Sequence, residues 1–202
     1  MPSPTFPNSS GFVDNIRYKS LRREGWILSL SGWRDEKSVV RWRTAQRHHL
    51  VQEKGRTEIL LDYHLRVGQV THDTEVPPGH KIEEQRLDET QTGQGTTITL
   101  IDAKWPEISC ETVDAPGVGT YLGLRAKASG LVGWEVFDAV LTPGDVILML
   151  VWKSREDADA FAKSTALPPG GRMRHVRIVR DYGMFDRREA PQYYPAPEQG
   201  GA

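Results

Sequence analysis

A repeat with a constant spacing of 119 residues is the feature that most limits what this chain can fold into. A glycine, two aromatic residues and an Asp-Tyr pair of the first half recur in the same order in the second half. They are Gly25, Trp33, Trp42, Asp62 and Tyr63, matched by Gly144, Trp152, Phe161, Asp181 and Tyr182. The apolar patterning of the two segments also agrees. Because self-similarity at a fixed spacing is the signature of a repeated structural unit, we predict a tandem duplication.

Copy one is predicted to form two strands joined by a tight turn, then a helix and a further strand. The strands are predicted at 12–21, 26–33 and 57–67, and the helix at 35–54. Apolar and polar residues alternate in the strands. Asp35 is a residue type that caps helices and Gly55 one that ends them. In the last strand, Leu61 and Tyr63 are expected on the inward face.

Copy two repeats this order and adds a leading strand. Its predicted elements are strands at 97–105, 131–141, 146–152 and 173–185 and a helix at 154–164. In the connection 106–129 only 119–129 is expected to form a short helix, because Pro116 and Gly117 disfavour one earlier. With its leading strand the copy matches a ferredoxin-like split βαβ unit. The predicted fold class is α+β: tandem ferredoxin-like units, each an antiparallel sheet with helices on one face.

Composition along the chain predicts five segments. Pro/Ser-rich or Pro/Gly-rich stretches are typical of loose ends, and a polar stretch without periodicity is typical of a linker. Copy one lacks a predicted leading strand and helix, because only ten residues precede Gly11. The segments are a flexible arm at 1–10, a first unit at 11–70, a linker at 71–95, a second unit at 96–184 and a tail at 185–202.

Charge and cysteine content exclude several classes of partner. Lys plus Arg number 26 and Asp plus Glu 27, so neither a nucleic acid nor an anionic membrane is expected as partner. No stretch reaches the roughly 18 apolar residues of a membrane span. No signal peptide is recognised, and Cys110 is the only cysteine. These features predict a cytoplasmic protein without a structural metal site.

Residues 11–70 resemble the antibiotic biosynthesis monooxygenase family. The motifs that carry the resemblance are Gly11-Phe12, Ser29-Leu30-Ser31 with Trp33, Trp42-Arg43, His48, Gln52, Gly55-Arg56 and Asp62-Tyr63. The resemblance implies an α+β barrel of two units packed sheet to sheet. One chain could supply both units, as a monomer with an intrachain pseudo-dimer or within a homodimer. Members include cofactor-independent oxygenases and haem-degrading enzymes, and a shared fold does not choose among them.

Four polar residues of copy one are candidate catalytic residues: His49, His48, Tyr63 and Asn15. A helical wheel places His49 at the edge of the apolar stripe, whereas the family motif points to His48. Either imidazole is a candidate base, and the alternative is a pair of solvated or partly packed histidines near a helix end. Tyr63 and Asn15 are candidate hydrogen-bond donors to a substrate oxygen.

Six apolar residues are candidates for a pocket that takes a small hydrophobic or aromatic molecule: Trp33, Trp42, Leu61, Trp152, Phe161 and Tyr182. The alternative is ordinary packing between helix and sheet. Haem is disfavoured as cofactor: relatives that degrade haem carry their ligand histidine nine or ten residues after the helix tryptophan, where this chain has Val51 and Gln52. Two functions therefore stay open. One is a cofactor-independent monooxygenase of a small aromatic or enolic substrate, and the other is a non-catalytic binding or structural protein.

Overall fold

The computed structural model describes residues 11–44, 60–106 and 114–190. These residues form seven strands and three helices, which confirms the α+β class. In chain order they are β1 Phe12–Ser20, β2 Ile27–Trp33, α1 Glu36–Thr44, β3 His64–Asp73, β4 Thr97–Lys104, α2 Ala115–Tyr121, β5 Leu131–Ala139, β6 Asp145–Trp152, α3 Arg155–Lys163 and β7 Arg172–Gly183.

The contacts divide the chain into two compact units. Unit 1 comprises Met1–Ile16 and Ser29–Tyr63, and unit 2 comprises Arg17–Leu28 and His64–Ala202. The end of β1 falls in unit 2 because Tyr18 and Ser20 pair with β5, opposite Ala139 and Phe137.

The seven strands are hydrogen-bonded in the order β2-β1-β5-β6-β4-β7-β3. Four of these strands, in the order β5-β6-β4-β7 and connected by α2 and α3, have the arrangement of a ferredoxin-like unit. In this arrangement the leading strand, β4, lies between β6 and β7. Their pairings are antiparallel. The family resemblance implied two sheets packed against each other, whereas the described strands are joined in a single sheet.

Several elements recur at the predicted spacing. The bounds of β1 and β5 differ by 119 residues at both ends, as do those of α1 and α3. A backbone hydrogen bond closes each hairpin onto the start of its helix: Arg34 donates to the Gly11 carbonyl at 2.7 Å, and Lys153 donates to the Gly130 carbonyl at 2.9 Å. The spacing of 119 therefore also holds for detailed local geometry.

The helix starts recur in the same way. The Ser38 amide donates to Asp35 Oδ1 at 2.8 Å, and the Asp157 amide donates to Ser154 Oγ at 3.2 Å. Both caps satisfy an amide that the first helical turn leaves without a partner. The hydrogen bonds to Asp35 from the hydroxyl and amide of Ser38 and from Arg34 hold the pKa of that carboxyl at about 2.

Glycine is required before the first strand of each copy. Gly11 has φ +99° and Gly130 has φ +75°, a region that favours glycine over any residue with a Cβ atom. A Cβ at Gly11 would collide with the Ser38 side chain, and a Cβ at Gly130 with the Asp157 side chain. The strand therefore passes directly over the helix cap in both copies.

Two predicted elements have different bounds in the structure. The strand predicted from residue 57 begins, among the described residues, only at His64, because β7 ends at Gly183, directly opposite His64, and provides no partner for 60–63. α2 begins at Ala115, earlier than predicted. Asp114 caps it through a 2.8 Å hydrogen bond from the Gly117 amide, and a proline is tolerated in the first turn because the amide it lacks would have no partner there.

The main core of unit 2 lies between its sheet and the helices. Its fully buried members include Ile101, Leu148, Leu150 and Trp152, with Phe161 of α3 packed against them. β4 reads as an almost continuous buried run, as expected for a strand with neighbours on both sides and cover on both faces.

Candidate functional site

Unit 1 brings three of the predicted aromatic and polar residues into defined contacts. The rings of Trp33 and Trp42 lie 5.3 Å apart, and the Phe12 ring meets Trp33 edge-on at 5.3 Å. Asn15 lies on β1, where its Oδ1 accepts a hydrogen bond from Ser29 Oγ at 3.3 Å. Unit 1 thus contains an aromatic cluster at the start of α1 and an amide on the neighbouring strand.

The remaining predicted residues of copy one do not form the expected strand face. Leu61 is 98% exposed, so it does not line an interior surface, and Tyr63 is partly buried just before β3 begins. The expectation of an inward strand face here is wrong because the pairing partner starts only at His64. His48 and His49 lie outside the described residues.

In unit 2, Trp152 and Phe161 pack as a pair. Their ring centroids are 5.1 Å apart at 43°, close to the 41° between Trp33 and Trp42. Trp152 is fully buried and Phe161 is 4% exposed. These two residues fill the core, which is the packing alternative given by the sequence.

Tyr182 is buried at the other end of the unit. It lies on β7 opposite Leu65, and the Arg187 guanidinium lies 5.8 Å from the centre of its ring. The structure does not bring it into contact with Trp152 or Phe161 among the ring contacts of the described residues. The predicted pocket residues therefore belong to separate clusters.

A buried polar network adjoins the Trp152 ring. Thr99 Oγ1 accepts a hydrogen bond from Trp152 Nε1 at 2.9 Å and lies 2.9 Å from His175 Nδ1. His175 is 2% exposed, and its ring lies 5.3 Å from that of His72. Burial, followed by the unfavourable charge of a protonated His72, lowers the pKa of His175. The imidazole is therefore held neutral inside the unit.

The same sheet face carries a row of polar side chains next to this network. Arg177 on β7 is paired with Gln69 of β3 on one side and with Thr97 of β4 on the other. Thr97 is in turn opposite Trp152 of β6. Arg177 is 7% exposed and Thr97 is 1% exposed. Residues directly opposite one another share a sheet face, so these side chains line the helix-covered face beside His175.

Asp181 organises a second charged cluster, where β3 meets the end of β7. Its Oδ1 contacts His64 Nε2, and its Oδ2 accepts from Arg66 Nε at 3.1 Å. Burial opposes ionisation of Asp181, but the hydrogen bonds from His64 and Arg66 outweigh it and lower its pKa. Glu189 accepts the Asp181 amide at 2.6 Å and the Thr90 hydroxyl at 2.8 Å. This cluster joins three segments of unit 2.

The sequence reasoning missed the role of the polar residues in β4 and β7. The signal was present: Thr97 and Thr99 alternate with apolar residues in β4, as His175 and Arg177 do in β7. A period of two places such residues on one face of a strand. The spacing of Arg174, Arg177 and Arg180 by three does not match the period of a strand face, so the sequence predicts no common stripe of arginines.

The described part of the chain lacks two other classes of site. No three His, Cys, Asp or Glu residues there lie close enough together to hold a metal ion. None of its helices has the length and apolar content of a membrane span. A shallow depression on α1 is lined by Glu36, Lys37, Val40 and Arg41, and it is open to solvent.

A curated protein is similar to this chain over nearly its whole length. Jasmonate monooxygenase ABM of Pyricularia oryzae is 45% identical over 197 residues, which cover 95% of this chain and 86% of the relative. The chain belongs to the antibiotic biosynthesis monooxygenase family. No family model matches, so membership in the antibiotic biosynthesis monooxygenase family rests on this relative and agrees with the motifs in residues 11–70.

A solved structure, that of an anthrone oxidase-like protein, aligns with 88% of this chain and 81% of its own. Its sequence identity is 13% and its TM-score 0.31, a likeness too weak to compare site residues.

Proposed function

We propose that this chain is a monooxygenase that oxidises a small enolisable or aromatic molecule without a cofactor. The observation that carries the proposal is the relative named jasmonate monooxygenase, which is 45% identical over 95% of the chain. Jasmonate contains a ketone, and a carbon beside a ketone can lose a proton to give an enolate. This is the type of electron-rich substrate that the sequence motifs suggested.

The proposed reaction balances without an added reductant. A base removes a proton from a CH₂ group, and the resulting carbanion reduces O₂ and forms a C–O bond as a hydroperoxide. The O–O bond then breaks as the second proton leaves the carbon, which yields a carbonyl group and water. The protein must supply the base, donors for the developing oxyanion and an apolar pocket.

Copy one is proposed to supply these groups. His49 or His48 is the base, and Tyr63 and Asn15 are donors to the substrate oxygen. The aromatic cluster at Trp33 supports this assignment, because it provides a flat apolar surface on the same unit as Asn15. Copy two has Leu167 and Pro168 at the positions 119 residues after the two histidines, so it is assigned a structural role.

We further propose that the chain arose by tandem duplication of a ferredoxin-like unit and acts as a cytoplasmic monomer in which copy one is the active copy. The recurring glycines, caps and ring pairs support the duplication. Light scattering after gel filtration tests the assembly. A mass near 22.8 kDa fits the monomer, and twice that mass contradicts it.

The experiment that tests the activity measures O₂ uptake with jasmonate and with a panel of hydroquinones and enolisable ketones. Incorporation of one ¹⁸O atom from ¹⁸O₂ into an organic product, with uptake unchanged after dialysis against a chelator, is the expected result. His48→Ala and His49→Ala are compared with His80→Ala, an exposed histidine of unit 2, as the matched control. Loss of uptake is expected in one of the first two variants only.

Two outcomes would contradict the proposal. Absence of uptake by the wild-type protein across the panel favours a non-catalytic binding protein, a reading that the filled aromatic core of unit 2 also supports. Uptake that survives in both His48→Ala and His49→Ala removes histidine from the mechanism while leaving the monooxygenase activity.

A further inference from the structure

Among the residues that the structure describes, Arg177 is a buried cation without a counter-charge. It is 7% exposed, and its Nε and Nη2 atoms are buried without a hydrogen-bond partner. Arg172, on the same strand, directs the same two atoms to Asp73, at 2.9 and 2.6 Å. Burial of a charged group is costly unless it is paired and hydrogen-bonded. The fold therefore holds a guanidinium fork of the kind that Arg172 uses to bind a carboxylate.

Its neighbours in the sheet add further donors. Gln69, directly opposite Arg177 on β3, accepts the amides of Gln85 and Arg86 on Oε1 at 2.8 and 3.0 Å. An amide can donate only to the carbonyl oxygen of the side chain, so these bonds fix the orientation of the Gln69 group. Its Nε2 is buried and has no partner. Gln69 thus presents an N–H donor next to Arg177.

Thr97 completes the row on the other side. It is directly opposite Arg177 on β4, and its Oγ1 is buried without a hydrogen-bond partner. Neighbouring strands lie roughly 4.8 Å apart, so the three side chains span about two strand spacings. All three can donate a hydrogen bond, and no carboxylate contacts Arg177 in the part of the chain that the structure describes.

We propose that this row, defined as Gln69, Arg177 and Thr97, binds the carboxylate of a small organic acid. A carboxylate accepts two parallel hydrogen bonds from Nε and Nη2 of one guanidinium, a geometry that also selects against neutral groups. The remaining oxygen lone pairs match the donors of Gln69 and Thr97. The inference goes beyond the proposed function, because the row lies within unit 2 and would bind the acid whether or not the copy-one residues oxidise it.

Other charged residues of unit 2 indicate that the Arg177 guanidinium does not serve as half of a structural ion pair. On the opposite sheet face, Arg174 is paired with Asp102 at 2.5 Å, and Glu135 accepts from Arg23 at 2.6 Å. Arg174 and Glu135 on that face thus each have a charged partner within the chain. Because replacing a charged core residue by an apolar one of similar size is often neutral or stabilising, Arg177 is a costly choice for packing alone.

The test measures binding by isothermal titration calorimetry with jasmonate and with its methyl ester. The two ligands have the same carbon skeleton, but only jasmonate carries a free carboxylate. The wild-type protein is expected to bind the acid about 10- to 100-fold more tightly, the worth of hydrogen bonds to a charged group. Arg177→Lys keeps the charge and removes the fork, so it should lose a similar factor for the acid and little for the ester. Arg180→Lys, the same change on the same strand outside the row, should bind both ligands like the wild type.

The comparison of an acid with its neutral analogue is repeated on an aromatic skeleton, with phenylacetate and phenylacetamide. A preference for the acid below fivefold in both pairs, or a loss below fivefold in Arg177→Lys, overturns the proposal. Arg177→Met adds a measurement that does not need a ligand: the melting temperature of the free protein is expected to stay equal or rise, because an unpaired charge is removed. A fall of more than 5 °C would show instead that the guanidinium stabilises the fold.

The outcomes for site and reaction can be separated. O₂ uptake by a protein whose affinity for the acid is unchanged in Arg177→Lys would overturn the carboxylate site and leave the monooxygenase in place. Binding of the acid that depends on Arg177, in a protein without O₂ uptake on any substrate, would retain the site and remove the proposed reaction.

Discussion

Replacement of Trp152 by alanine is expected to destabilise unit 2 by about 4 kcal/mol. The side chain is fully buried, and an aromatic side chain buries roughly 150–250 Å², or about 4–6 kcal/mol at ~25 cal/mol per Å². Alanine retains part of this area, and extended-chain areas overestimate the gain. Substitutions of this kind in cores cost about 3–5 kcal/mol. Thr99 keeps its contact with His175, so the lost indole hydrogen bond adds little.

Trp33 is the matched position 119 residues earlier, and it is only partly buried. Its ring contacts Phe12 and Trp42, so Trp33→Ala is expected to cost about 2 kcal/mol, in proportion to the smaller area removed from water. The two tryptophans occupy matched positions in the repeat but are buried to different extents. The difference arises because unit 2 has a leading strand and helix that enclose its core, which the described part of unit 1 lacks.

Urea denaturation followed by far-ultraviolet circular dichroism measures both values, with m compared among variants to check that the unfolded states are alike. Trp152→Phe separates packing from hydrogen bonding and should cost about 1–2 kcal/mol, since most of the ring stays. A cost for Trp152→Ala below about 1.5 kcal/mol, or below that of Trp33→Ala, would refute the assignment of Trp152 to the closed core.

Three further predictions concern unit 2. The free energy of unfolding should fall as pH decreases below about 6.5, because the unfolded chain then binds a proton that buried His175 does not, and urea midpoints for His175→Gln should show a smaller decrease from pH 7.5 to 5.5. Asp181→Asn should cost about 2 kcal/mol at pH 7, because the buried carboxylate loses its hydrogen bonds to the partly exposed His64 and Arg66. Since the native pKa of Asp181 is lowered, its contribution is present above about 3.8 and is lost as the pH falls further, so the variant and the wild type should converge in acid. Gly130→Ala should cost at least 1 kcal/mol more than Gly144→Ala in thermal melts. Both positions need a positive φ, but only at Gly130 would the new methyl group meet a side chain, that of Asp157. Equal costs for the two variants would contradict this explanation.

The sequence predicted the elements whose pattern is local. Alternation gave the strands of copy two to within about two residues, and the cap Asp35 and the helix predicted from Ser154 marked the starts of α1 and α3. Each of these signals depends only on residues within one turn of a helix or one pleat of a strand. The α+β class and the order of elements in copy two followed from them.

The structural features that the sequence did not predict depend on contacts between residues distant in the chain. The alternation around Leu61 is typical of a strand, yet β3 starts only at His64, because a strand needs a partner and β7 ends at Gly183. Arg177 was seen in the sequence, but its significance depends on Gln69 and Thr97, which lie 108 and 80 positions away and meet it only in the folded sheet. The candidate base at His48 or His49 stays a prediction, as it lies outside the described residues.

The crossing of each first strand over its helix cap has a consequence for how the two copies can diverge in evolution. Gly11 and Gly130 are each constrained twice, by backbone conformation and by the side chain that a methyl group would strike. The side chain below is free to vary, as Ser38 and Asp157 show, whereas the glycine above it is not. If the proposed duplication gave rise to this chain, these two glycines should persist after most of the surrounding identity between the copies has been lost. They then offer fixed reference points for aligning halves that no longer resemble each other.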